Sequence, residues 1–174
     1  ELPKLSLQQR FILHFEAVDW MCACFVNGQL VGTHTGGYLP FSFDITDFLG
    51  MSKKTEIAVC VYDPSDAGVQ LRGKQTLSRG DIWYTAQSGI WQSVWCEVVP
   101  ETHLESLTLK GDMHGILQVR VRSTFGLRDA FGLGNEACTD SLTNSLALEV
   151  TVLDAQKQEV LHATLLVGKT GETY

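Results

Sequence analysis

The chain has 174 residues, 44% of them apolar and 19% charged, which are ordinary values for one globular domain or two small ones; it is neither disordered nor fibrous. The net charge of −7, with Lys and Arg scattered, supplies no basic stripe to neutralise a phosphate backbone, so no nucleic-acid partner is expected. No apolar run approaches the roughly 20 residues that cross a bilayer, and the first ten residues lack the charged-then-apolar order of a secretory signal, so no membrane partner is expected.

Short β-rich runs recur between turn signals and helical periodicity is nearly absent, which predicts an all-β sandwich. The first run is RFILHFE, Arg10 to Glu16. In MCACFVNGQLVG, Asn27-Gly28 between apolar segments predicts a hairpin with strands Met21 to Val26 and Gln29 to Gly32. Gly36-Gly37 before Tyr38 permits a tight backbone turn, and Pro40 leads into FSFDIT, where Phe41, Phe43 and Ile45 share one face. TEIAVCVYD becomes continuously apolar and is expected to lie centrally in a sheet. Asp63-Pro64-Ser65 starts a turn in which the carboxylate can bond its own backbone two residues on. A long irregular loop follows to Asp81, and IWYTAQSGIWQSVWCEVVP returns to strand character until Pro100.

Pro100 marks a boundary between residues 1–100 and 101–174. Beyond it, HLESLTLK and ILQVRVRS are expected to form a hairpin around GDMHG, and SLALEVTVLD and EVLHATLLV a second one around AQKQ. Four strands are too few for a closed immunoglobulin-like sandwich of about seven.

The five cysteines, Cys22, Cys24, Cys60, Cys96 and Cys138, are odd in number and have no zinc-type spacing, so they read as buried free thiols in a reducing, cytoplasmic compartment. No metal and no cofactor is implied.

VDWMCACFVNGQLVGTHTGGYLPFSFDIT, EIAVCVYDPSD, RGKQ and SGIWQSVWCEVVP, in that order, resemble the sugar-binding-type domain of glycoside hydrolase family 2, the family of β-galactosidases, β-glucuronidases and β-mannosidases. The resemblance covers about Arg10 to Pro100, and the segment after Pro100 is similar to the immunoglobulin-like domain that follows in those enzymes. It implies a jelly-roll β-sandwich, then an immunoglobulin-like sandwich, and then a catalytic (β/α)₈ barrel that would need about 250 more residues. The chain is therefore expected to be an internal fragment that lacks the first jelly-roll strands and stops partway through the second domain. Its expected role is non-catalytic: it supports the barrel of a β-galactosidase-like parent. A free-standing carbohydrate-binding module is the alternative. The parent's barrel is the implied partner and carbohydrate the implied ligand, and a sheet edge left uncovered by missing strands would favour a homo-oligomer.

Three residues are candidates for sugar contact. The resemblance implies that the loop before Ser88-Gly89-Ile90 lies near the barrel's pocket, and Asp81 is the nearest acid upstream; Trp83 and Tyr84 beside it offer aromatic faces for a sugar ring. Trp20, Trp91 and Trp95 are expected in the core, and His34 and Lys74 are expected to brace loops through hydrogen bonds. LGNE at Leu133 to Glu136 matches the family's Asn-Glu catalytic acid, but it falls in a glycine-rich stretch between sandwich strands. Retaining glycosidases need a second carboxyl group about 5–5.5 Å away. Glu136 is therefore expected to be a surface-loop acid, and no catalytic residue is assigned.

Overall fold

The computed structural model describes residues 6, 8–50, 54–114, 117–124, 146–167 and 172–173; Cys138 and Glu136 lie outside the described residues. The chain divides into two units, Glu1–Pro100 and Glu101–Tyr174. The strands of the first are β1 (Gln9–Phe15), β2 (Val18–Asp19), β3 (Met21–Val26), β4 (Gln29–Thr35), β5 (Phe41–Asp44), β6 (Ile57–Tyr62), β7 (Gln75–Thr76), β8 (Tyr84–Thr85), β9 (Gly89–Ile90) and β10 (Val94–Pro100). Among the described residues the only helical pieces are two 3₁₀ turns, Thr46–Phe48 and Ser65–Ala67, so the all-β expectation holds. No helix among them is long and apolar enough to cross a membrane.

Alternation builds the core. Phe11, Leu13 and Phe15 project from one face of β1, and Cys22, Cys24 and Val26 from one face of β3; together with Val18 and Ile45 they form a single buried cluster. β1 is the middle strand of the sheet β10-β1-β5 and β3 the middle strand of β4-β3-β6, so two antiparallel three-stranded sheets pack face to face as a sandwich. The β3–β4 hairpin turns at Asn27 (φ +50°) and Gly28 (φ +78°), the left-handed pair that a type I′ turn requires. Asn27 also ties the hairpin down, since its amide donates to the Phe48 carbonyl at 2.9 Å and its side-chain oxygen accepts from the Glu56 N–H at 3.1 Å. At the other end, Arg10 donates to Asp44 at 2.8 Å and to both oxygens of Asp47 at 3.2 Å, which joins β1 to the end of β5.

Three expectations are corrected. β6 lies at the edge of its sheet, pairing only with β3 among the described strands; its apolar run reads as central because Ile57, Val59 and Val61 face inward beside Val26, Cys24 and Cys22. Trp91 and Trp95 are not core residues, being 53% and 43% exposed. Val94, Cys96 and Val98 of β10 pair with Phe15, Leu13 and Phe11 and share their inward face, so Trp95 falls on the outer face, stacked on His14 at a centroid distance of 3.9 Å. Cys22 and Cys24 are buried, but Cys60 points to the outer face of β6 and Cys96 sits on edge strand β10, and both are exposed.

The second unit contains β11 (Leu104–Gly111), β12 (Leu117–Ser123), β13 (Leu146–Leu153), β14 (Glu159–Val167) and β15 (Glu172–Thr173). β11–β12 and β13–β14 are the two expected hairpins, and the short β15, not anticipated from sequence, adds to β12. Asp154 organises the second turn by accepting the Gln156 and Gln158 N–H groups at 2.9 and 2.8 Å, while Lys157 adopts φ +61°.

Candidate functional site

Residues 63–91 fold back on themselves through hydrogen bonds that short polar side chains make to nearby backbone. Asp63 accepts the Ser65 N–H at 2.8 Å, the turn expected from Asp-Pro-Ser, and with its other oxygen accepts the Ser88 hydroxyl at 2.7 Å. One carboxylate thereby joins the start of the loop to the Ser-Gly-Ile motif at its end. Gln75 accepts the Gln87 N–H at 2.7 Å, the Tyr84 N–H donates to the Lys74 carbonyl at 2.8 Å, and β7 and β8 run parallel. Asp66 accepts the Thr76 hydroxyl and the Leu77 N–H, bonds that hold its carboxyl below the ordinary range, the Thr76 hydroxyl contributing most.

This folded loop faces the Gly-Gly turn after β4. A Cβ on Gly37 would stand 2.5 Å from Asp19 Oδ1, so the turn passes the carboxylate at a distance only glycine allows. Asp19 pairs with Gly89 in the β2–β9 ladder. The Trp91 indole N–H donates to the Gly37 carbonyl at 2.8 Å, and Tyr38 meets the Trp91 ring edge-on at 5.9 Å between centroids. Between turn and loop lies a cleft of about 820 Å³, within the usual range of about 300–1,000 Å³ for small-molecule sites. Asp19 and Tyr38 line it from the sandwich side, Arg72, Lys74 and Gln75 from the loop, and Tyr84, Thr85 and residues 87–91 from the returning chain.

The cleft mixes aromatic surface with polar groups of both signs. Asp19 is buried, and that burial raises its carboxyl above the ordinary aspartate range, with the neighbouring charge of Asp63 adding to the effect. Asp19 Oδ1 and Arg72 Nε are both buried without a hydrogen-bond partner among the described residues. Among the described residues no group of three or more His, Cys, Asp or Glu is placed to hold a metal ion.

Of the residues singled out from sequence, Tyr84 lines this cleft and is 69% exposed. Asp81 (φ +51°) and the half-exposed Trp83 stand on the turn just before it, closed by the Trp83 N–H donating to the Gly80 carbonyl at 3.0 Å. His34 bonds the Gly36 carbonyl at 3.1 Å and stacks on Phe41, a bracing role as expected, while Lys74 lines the cleft and its carbonyl holds β8. Asp19, Tyr38 and Arg72 were not anticipated as site residues. The available signal was an acid inside the apolar run AVDWMC, a context in which a carboxylate is buried and must be used.

Comparison with known proteins agrees with this architecture. A beta-galactosidase of Thermoanaerobacter pseudethanolicus is 31% identical over 100 residues, covering 57% of this chain and 13% of its own length. A beta-galactosidase of Priestia megaterium is 29% identical over 157 residues, covering 90% of this chain and 14% of its own. The crystal structure of a Parabacteroides merdae beta-glucuronidase superposes with a TM-score of 0.65 at 22% identity, over 95% of this chain and 21% of that one, a likeness of fold. The chain thus spans less than a fifth of the length of these two beta-galactosidases. The family profile described as glycosyl hydrolases family 2, sugar binding domain, matches residues 1–100, and the chain belongs to that family.

Proposed function

We propose that the chain is a non-catalytic accessory region of a family 2 β-glycosidase, in which hydrolysis of the O-glycosidic bond is carried out by a barrel elsewhere in a longer polypeptide and a β-galactoside is the preferred substrate. The observation that carries this reading is the family match over residues 1–100 in a chain that covers so little of its relatives. In this reading the first sandwich supports the barrel, residues 101–174 belong to the immunoglobulin-like domain that follows, and Asp81, Trp83 and Tyr84 on the loop reach the sugar bound in the barrel's pocket. The half-exposed apolar side chains along β6 and β10 support a second contact, with another copy of the chain.

The test is turnover of p-nitrophenyl β-D-galactopyranoside. The 174-residue chain releases no nitrophenol, the longer polypeptide containing it does, and Asp81→Ala and Tyr84→Ala in that polypeptide lower kcat/KM. Turnover by the 174-residue chain alone would sink the non-catalytic reading.

A further inference from the structure

One edge strand of the first unit is unguarded. An edge exposes a row of backbone N–H and C=O groups that any extended segment can pair with, and proteins blunt such edges with charges, proline or bulges. Of the described edge strands longer than two residues, β5 carries Asp44, β10 Glu97, β11 Glu105, β13 Glu149 and β14 Glu159, and β4 is bulged beside Gly32. β6, Ile57–Tyr62, has no charge, proline, glycine or bulge, and its free side pairs with no described strand. The side chains along it are correspondingly uncovered. Ile57 and Val61 face the core yet stay 42% and 37% exposed, and on the outer face Ala58 and Cys60 are exposed and Tyr62 is 62% exposed.

This edge is complementary to itself. Two identical strands related by a two-fold axis run antiparallel, and residues directly opposite each other lie on the same face. With the axis at Cys60, Cys60 stands opposite the second copy's Cys60, Val59 opposite its Val61 and Ala58 opposite its Tyr62. The valines then carry the core face of one copy into the next, a large ring is set beside a small side chain, and no like charges meet between residues 58 and 62. Moving the axis to Val59 instead pairs Ala58 with Cys60, two small residues, and leaves Tyr62 against Glu56.

We propose that two copies of the chain associate by antiparallel pairing of their β6 edges about a two-fold axis at Cys60, joining the two β4-β3-β6 sheets into one continuous sheet. The inference rests on the second-copy contact proposed above and deepens it, because it assigns that contact to one strand and one register.

The experiment is light scattering of the 174-residue chain in reducing buffer, with substitutions at Cys60, an exposed outer-face position that the core does not use. A concentration-dependent dimer is expected, and Cys60→Ser retains it. Cys60→Lys and Cys60→Glu each set like charges directly opposite and raise the dimer dissociation constant by at least about tenfold. An equimolar mixture of those two variants, in which the facing charges attract, restores the dimer. A short bis-maleimide joins Cys60 to Cys60 in the unchanged chain, as mass spectrometry of the linked peptide shows, and fails to do so in Cys60→Ser. If a charged variant does not fold, judged by its urea midpoint, this cross-link decides the matter. A dimer that the charged variants leave intact, a mixture that stays monomeric, or a dimer without the Cys60 link overturns the pairing while the second-copy contact stands. A monomer at all concentrations overturns both, and the non-catalytic reading is decided separately by turnover of the nitrophenyl galactoside.

Discussion

Along the β4/β5 side of the first sandwich, Gly32 lets the Phe43 ring lie where a Cβ would stand only 2.6 Å away, and His34 stacks on Phe41 at 3.9 Å between centroids, so aromatic rings close the gap between the sheets. Along the opposite side, formed by β6 and β10, the inward-facing Ile57, Val61 and Val94 remain about 40% exposed. Both sides use strands of good β-forming residues, and what separates them is a second layer. All four are edge strands of their sheets, so burial here depends on side chains that reach across the gap, and a strand with the right alternation but no such side chains over it keeps its core face partly wet.

The contrast is tested first at the closed side. Phe15 is 1% exposed and touches both Phe41 and Phe43, so Phe15→Ala should cost about 3–5 kcal/mol, measured as a lower urea midpoint at unchanged slope. Next in size, Gly32→Ala places a methyl group against the Phe43 ring and should cost about 1–3 kcal/mol, the usual penalty of overfilling a packed site. Phe43→Leu should recover part of that loss in the double variant. A Gly32→Ala protein as stable as the parent would show that the closed side is looser than its geometry indicates.

A smaller effect separates two aspartates. Burial disfavours the charge of Asp44, but bonds from the Thr46 hydroxyl, Arg10 and the Thr46 N–H outweigh it, so its carboxyl lies below the ordinary range. A depressed carboxyl contributes stability that is present above its unfolded pKa of about 4 and is lost as pH falls through the folded value. Asp44→Asn should therefore cost about 1 kcal/mol at neutral pH, discounted for partial exposure, and flatten the acid limb of the stability curve. Asp19, shifted upward by burial and by Asp63, has the opposite sign: its contribution falls as pH rises from the unfolded value through the folded one. Urea midpoints across pH should show Asp19→Asn gaining relative to the parent in that window.

Local chemistry was legible where a feature closes within a few residues. Asn27-Gly28 specified its hairpin because both residues tolerate positive φ, Asp63 specified its turn because its carboxylate reaches Ser65, and Gly36-Gly37 announced a turn that only glycine allows. Alternation correctly divided Phe41, Phe43 and Ile45 from Ser42 and Asp44, since period two fixes which residues share a face. The same alternation carries no information on what covers that face. The apolar run of β6 consequently reads as central although its strand lies at an edge, and Trp91 and Trp95 read as core although both are about half exposed. The cleft was hidden for the same reason: Asp19, Gly37, Arg72 and Gly89 meet only once the long loop has folded back, and no sequence spacing among them announces the contact.

The smallest change is expected at the open side, where Ile57→Ser should cost less than about 1 kcal/mol because the side chain already keeps much of its contact with water. Its larger consequence lies in association. If a second copy covers the β6/β10 side, light scattering of the unchanged chain shows a concentration-dependent dimer, and Ile57→Ser shifts it toward monomer while the urea midpoint at low concentration hardly moves. A monomer at all concentrations would mean that no copy of this chain closes that side.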